Sequence, residues 1–177
     1  LATWLGKGGA GFVTDVGRNF GLMGVMILMM QAVIAGRFHW VERAFGLDIL
    51  IRFHKYIAVT AASLLILHPV LLSIGHGSWQ LLIGLDLPWY IWVGKGVLIL
   101  VLAQVLVSLY QGKIGLSFET WRRGHDLAAL AVLGFIFLHS WFAGDDLNPA
   151  PMKGLWVVMA LTAVAVLLYL RVAKPAY

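Results

Sequence analysis

Four histidines stand in two pairs of equal spacing. His54 and His68 lie fourteen residues apart in one strongly apolar stretch, and His125 and His139 lie fourteen apart in another. Imidazole is a ligand for iron, zinc and copper, and an ionisable side chain inside an apolar span is costly enough to call for a function with a named partner. On an α-helix fourteen residues rise about 21 Å and stop roughly 40° short of four full turns, so both members of a pair face nearly the same way. Two such helices side by side and running in the same direction bring the imidazoles into two facing pairs, one above the other, separated by most of the roughly 30 Å hydrocarbon core. That geometry suits two stacked haems, each iron taking one His from each helix, as a path for electrons across a membrane.

The elements that must hold these residues are membrane spans. Of 177 residues, 61% are hydrophobic and 12% charged, and the mean hydropathy is +0.89, which a water-soluble domain of this length does not sustain. Apolar runs separated by short polar turns predict five spans, at Phe20 to Ala35, Leu50 to Ile74, Trp89 to Tyr110, Trp121 to Phe142 and Met152 to Leu170. The expected fold is an all-α integral membrane protein, five helices of a six-helix bundle holding two stacked haems. Residues 1–19 read as the end of a truncated first span and an exterior loop, 20–172 as the haem-holding membrane domain, and 173–177 as the start of a linker. No stretch has the order of a signal peptide. The absence of cysteine excludes disulfides, zinc–thiolate sites, iron–sulfur clusters and covalent haem attachment, so any haem must be held non-covalently. The net charge of +5 does not imply nucleic acid, because the basic residues are dispersed at span ends.

Lysines and arginines set the expected orientation. Arg37, Arg43, Arg52, Lys55, Lys113, Arg122, Arg123, Arg171 and Lys174 fall on one side, and Lys7, Arg18, Lys95 and Lys153 on the other, which puts the first set in the cytoplasm. Spans two and four then both run outward, as the histidine pairing requires. His54 faces His125 near the cytoplasm and His68 faces His139 near the exterior. Trp40, Tyr56, Tyr110 and Trp121 mark the inner interface, and Trp79, Trp89, Tyr90, Trp92, Trp141 and Phe142 the outer one.

Other uses of these residues stay open. Membrane histidines also serve as polar glue between helices, and facing imidazoles also bind non-haem metals; the doubled pairing, without carboxylates around it, favours haem over both. Ala58, Ala61, Ala62 and Ser63 on span two and Ala128, Ala129, Ala131 and Gly134 on span four either leave room for a macrocycle or let helices approach. Phe135 and Phe137 lie between the ligand levels, and Pro69 is expected to bend span two. Lys95 either snorkels to the headgroups or, with Arg18, neutralises outer haem propionates or attracts an anionic substrate. Arg52, Lys55, Arg122 and Arg123 either serve the inner propionates or only set topology. His39 reads as an interface residue, and His76 as a residue that reaches a local acceptor or a propionate. Met23, Met26, Met29 and Met30 read as adaptable packing.

The segments Arg52-Phe53-His54-Lys55-Tyr56 running to His68-Pro69, and Phe118-Glu119-Thr120-Trp121-Arg122-Arg123-Gly124-His125 running to His139, resemble the ferric reductase-like transmembrane domain shared by bacterial ferric reductases and NADPH oxidases. The resemblance covers nearly the whole chain. It implies six helices, two b-type haems with bis-histidine ligation, and a cytoplasmic flavin domain supplying electrons from NAD(P)H through FAD. Carried over by position, His54 and His125 bind the inner haem, and His68 and His139 the outer one. The first span is then expected before Leu1, and the flavin domain beyond the linker or on a separate chain. Many NADPH oxidases have a further His one turn beyond the outer ligand, where this chain has Leu72, so oxygen is not singled out over a ferric chelate as the exterior acceptor. The implied protein is an oxidoreductase of the bacterial inner (plasma) membrane with a cytoplasmic C-terminus. The alternatives are a free-standing haem subunit that passes electrons to a periplasmic partner, such as a methionine sulfoxide reductase, and, behind it, a non-redox scaffold or transporter.

Overall fold

Each apolar run forms a helix, because a backbone in lipid must satisfy its own hydrogen bonds. The computed structural model describes residues 11–35, 38–144 and 147–169. Its helices are α1 (Phe12–Ala35), α2 (His39–Phe45), α3 (Leu47–Gly75), α4 (Gln80–Ile83), α5 (Trp89–Ile114), α6 (Phe118–Ala143) and α7 (Ala150–Leu168). Five of them, α1, α3, α5, α6 and α7, are long and apolar enough to cross a membrane. Their ends follow local chemistry. Ser117 caps α6 by accepting from the Thr120 N–H at 3.2 Å, and Gly115 stops α5 at φ 75°, a left-handed conformation that glycine adopts at least cost.

The sequence reading places the first span too late. Residues 12–19, expected in a loop, are the first turns of α1. Thr14, Asp15, Arg18 and Asn19 lower the hydropathy there, yet none of them breaks a helix, and Thr14 and Gly17 are buried. Asp15 also sits in the first turn, where the helix dipole favours a carboxylate. Helix α3 continues through Pro69, whose ring leaves the Leu65 carbonyl without its helical donor. Leu1–Ala10, Arg37 and the expected linker with Arg171 and Lys174 lie outside the described residues.

Two antiparallel pairs make up the bundle. In the first, Gly17 lies against Leu71 and Leu72, Gly21 against His68, and Gly24 against Leu65 and the Ala61 backbone, so α1 descends as α3 ascends. In the second, Tyr90 meets His139 and Gln104 meets His125, giving α5 and α6 the same relation. Helix α7 packs against α1 and α6, and the Trp156 indole N–H donates to Ser140 Oγ at 2.8 Å. Val25, Met29, Ala62, Val101, Ile136 and Trp156 meet in the common core, while Ile99, Leu127 and Leu161 point outward, as lipid-facing residues do.

Candidate haem site

The site rests on the two histidine helices, and these do not pack against one another. Helix α3 is held by α1 and helix α6 by α5, with almost no close backbone approach between α3 and α6. Between them, the His54 and His125 rings approach with centroids 6.3 Å apart and planes tilted at 59°. His68 and His139 lie within electrostatic range of one another at the other end. The pairs therefore join His54 with His125 and His68 with His139, so α3 and α6 run parallel.

At the outer level each ring is clamped by its neighbouring helix. The His68 Nδ1 lies 2.8 Å from the Gly17 carbonyl oxygen, and the His139 Nδ1 lies 2.8 Å from that of Tyr90. A carbonyl only accepts, so both Nδ1 atoms carry the proton and each neutral ring keeps its Nε2 lone pair for a metal. Glycines make this approach possible: a Cβ on Gly21 would fall 2.6 Å from His68 Nδ1, and one on Gly94 would fall 2.5 Å from His139 Cε1.

The inner level is held by side chains. Gln31 donates from Nε2 to the His54 carbonyl at 2.8 Å, and Gln104 does the same to the His125 carbonyl at 2.9 Å. The His125 Nδ1 is 3.3 Å from Ser108 Oγ, which also accepts the Trp121 indole N–H at 3.2 Å while the Trp121 ring lies 5.3 Å from that of His125. A cleft of about 190 Å³ beside His125 is lined by Gln104, Ser108, Thr120 and Trp121.

Gly21, Gln31, Gly94, Gln104 and Ser108 do not stand out when the histidines are read alone, yet their spacing holds a signal. Gly21 and Gln31 are ten residues apart, as are Gly94 and Gln104, and each pair precedes its own histidine pair. The doubling thus extends from the histidines to the helices that support them.

The other singled-out residues separate by position. Lys95 donates from Nζ to the Gly84 carbonyl at 3.2 Å and lies 4.6 Å from the centre of the Trp92 ring. Arg122 pairs with Glu119 at 2.8 Å on an exposed surface one turn away, and Arg123 is exposed beside it. Arg18 is part-buried on α1, one residue past Gly17. His76 caps the end of α3 with its Nδ1 2.7 Å from the Leu72 carbonyl, and His39 is exposed on α2. The small residues divide: Ala61 and Ala62 are buried, Ala61 where Gly24 of α1 comes close, which is helix approach, whereas Gly134 has open space around it. Phe135 is about half exposed, and Phe137 stacks on Trp141.

These residues fit haem. Two metal–nitrogen bonds of about 2 Å each, plus the half-width of each ring, come to about 6 Å, close to the 6.3 Å between the inner rings. Among the described residues no three His, Asp or Glu side chains converge, whereas a bis-histidine haem asks only two imidazole donors of the protein where a non-haem centre asks three or four. The profile of a family described as ferric reductase like transmembrane component matches residues 20–136, well over half of the chain. The matched region includes His54, His68 and His125 and ends just before His139. No curated protein and no solved structure matches the chain. With its five apolar helices and the matched profile, the chain belongs to the ferric reductase-like transmembrane components, a family of oxidoreductase membrane parts that points to transmembrane electron transfer.

Proposed function

We propose that this chain conducts electrons from a cytoplasmic NAD(P)H/flavin donor to an exterior ferric chelate or oxygen through two b-type haems, one between His54 and His125 and one between His68 and His139. The observation that carries the reading is the His54–His125 ring pair between α3 and α6, with a second histidine fourteen residues further along each of these helices. Haem supplies a one-electron relay at each level when bound. With haem bound, His54 with His125 and His68 with His139 would hold the irons, and an exterior acceptor would then be reduced at the outer end of the path without binding metal. The Gly17 and Tyr90 carbonyls hold the outer imidazoles in the tautomer that leaves the Nε2 lone pair available to a metal.

Orientation follows from charge. Arg43, Arg52, Lys55, Lys113, Arg122 and Arg123 gather at the end of the bundle that holds His54 and His125, and Arg18, Lys95 and Lys153 at the other. The inner level then faces a cytoplasmic flavin domain, on this polypeptide or separate. Arg122 and Arg123 lie within three residues of His125, and Lys95 is next to Gly94 at the His139 ring and Arg18 next to Gly17 at His68, which makes them the cations to test as partners of propionate charge. Pyridine haemochrome analysis of purified protein tests the reading. About two extractable haems b per chain are expected; a fully folded, colourless protein would leave the histidines as polar contacts between helices.

A further inference from the structure

Three of the four histidines have a partner for Nδ1: Gly17 O for His68, Tyr90 O for His139 and Ser108 Oγ for His125. His54 is the exception. Its Nδ1 is buried with no hydrogen-bond partner. A second orphan belongs to the residue already bonded to His54: Gln31 is 7% exposed, its Nε2 donates to the His54 carbonyl, and its Oε1 is buried without a donor. The two orphans are complementary. An imidazole that gives Nε2 to a metal carries its proton on Nδ1 and must donate it, and an amide oxygen only accepts. Each left unmade in a low-dielectric interior is costly.

We propose that Gln31 is the positioning residue of the inner level: when His54 ligates iron through Nε2, Gln31 Oε1 accepts the Nδ1–H, directly or through one water. The inference rests on the bis-histidine haem reading above. It makes Gln31 do two things, fixing the ligand helix through the His54 carbonyl and the ring through Nδ1. Gln104 supplies only the first on the opposite helix, where Ser108 already serves His125. An acceptor on Nδ1–H raises the basicity of the ligand and so favours ferric over ferrous iron.

The two glutamines are each other's control. Redox titration of the purified, haem-loaded protein should show Gln31→Leu raising the midpoint of the inner haem and changing its low-spin ferric EPR signal, with the outer haem unmoved. Gln104→Leu, which loses the equivalent bond to a carbonyl but no acceptor for an Nδ1–H, should shift the inner midpoint by less than Gln31→Leu does. Gln31→Glu, nearly the same size and a stronger acceptor, should lower the inner midpoint, and by more than Gln104→Glu, which places the same charge beside a ring already bonded. Equal shifts for the two Leu variants, or no shift at Gln31 with two haems bound, would overturn the proposal. If the Gln31 variants do not load haem, the redox difference infrared spectrum of wild type carrying ¹³C-labelled glutamine decides instead. An isotope-sensitive amide band that moves with inner haem reduction and persists in Gln104→Leu is expected, and its absence would contradict the assignment. A wild type without haem would instead remove the reading on which the inference rests.

Discussion

The outer and inner histidine levels are built from different materials. Outside, backbone carbonyls 2.8 Å from Nδ1 and glycines pressed on the rings hold His68 and His139. Inside, the holding groups are side chains: a serine hydroxyl at 3.3 Å for His125 and glutamines bonded to the ligand carbonyls. A backbone acceptor cannot be mutated away and moves only with its helix, so the outer imidazoles are fixed as firmly as α1 and α5 are packed. The inner imidazoles depend on side chains that single substitutions can change. The same duplicated helix pair thus gives one level set by packing and one set by polar chemistry.

Breaking the outer level takes volume. Gly94→Ala puts a Cβ into the His139 ring and Gly21→Ala into that of His68, overpacking that costs about 1–3 kcal/mol. Either change should remove most of the outer haem and roughly half of the total Soret absorbance while the inner haem stays reducible, as read by spectra and haemochrome stoichiometry. Gly134→Ala, with nothing near its position, should leave both haems in place. A smaller effect is expected from polar loss inside. Ser108→Ala strips the His125 Nδ1 and the Trp121 indole of their shared partner, costing about 1–2 kcal/mol and raising only the inner midpoint, which redox titration separates from the outer. Trp156→Phe removes the bond from α7 to Ser140 beside His139; a loss of about 1 kcal/mol should lower thermal stability in detergent without changing haem content. Smallest is Lys95→Met. Because the Lys95 ammonium is engaged by the Gly84 carbonyl and Trp92, haem content should not change. Steady-state rates should fall less than about threefold with anionic ferric chelates and not with neutral ones, and salt should close that gap through screening over about 8 Å.

The histidine levels were legible because fourteen residues is close to a whole number of helical turns, so spacing alone aligns the ligands. The five spans were legible from hydropathy, though not their ends. Thr14, Asp15 and Arg18 hid the start of α1, since a hydropathy average does not see that α1 packs on α3 there. Gly21 and Gly94 were invisible for a related reason: a glycine shows its purpose only once the opposing residue is known, and that depends on the register between helices. Gln31 and Gln104 carry no signal in the sequence by themselves; only their bonds to the His54 and His125 carbonyls make them equivalent. For Lys95 the sequence leaves snorkelling and a propionate or substrate role both open, and the structure adds local partners at Gly84 and Trp92.

The central claim is that each level draws one histidine from each of two parallel helices, and it is tested most directly by the low-temperature optical and EPR spectra of the four single His→Ala variants. His68→Ala and His139→Ala should deplete one and the same haem, and His54→Ala and His125→Ala the other. Depletion of a common haem by His54→Ala and His139→Ala would mean that the helices run antiparallel and would contradict the two-level account.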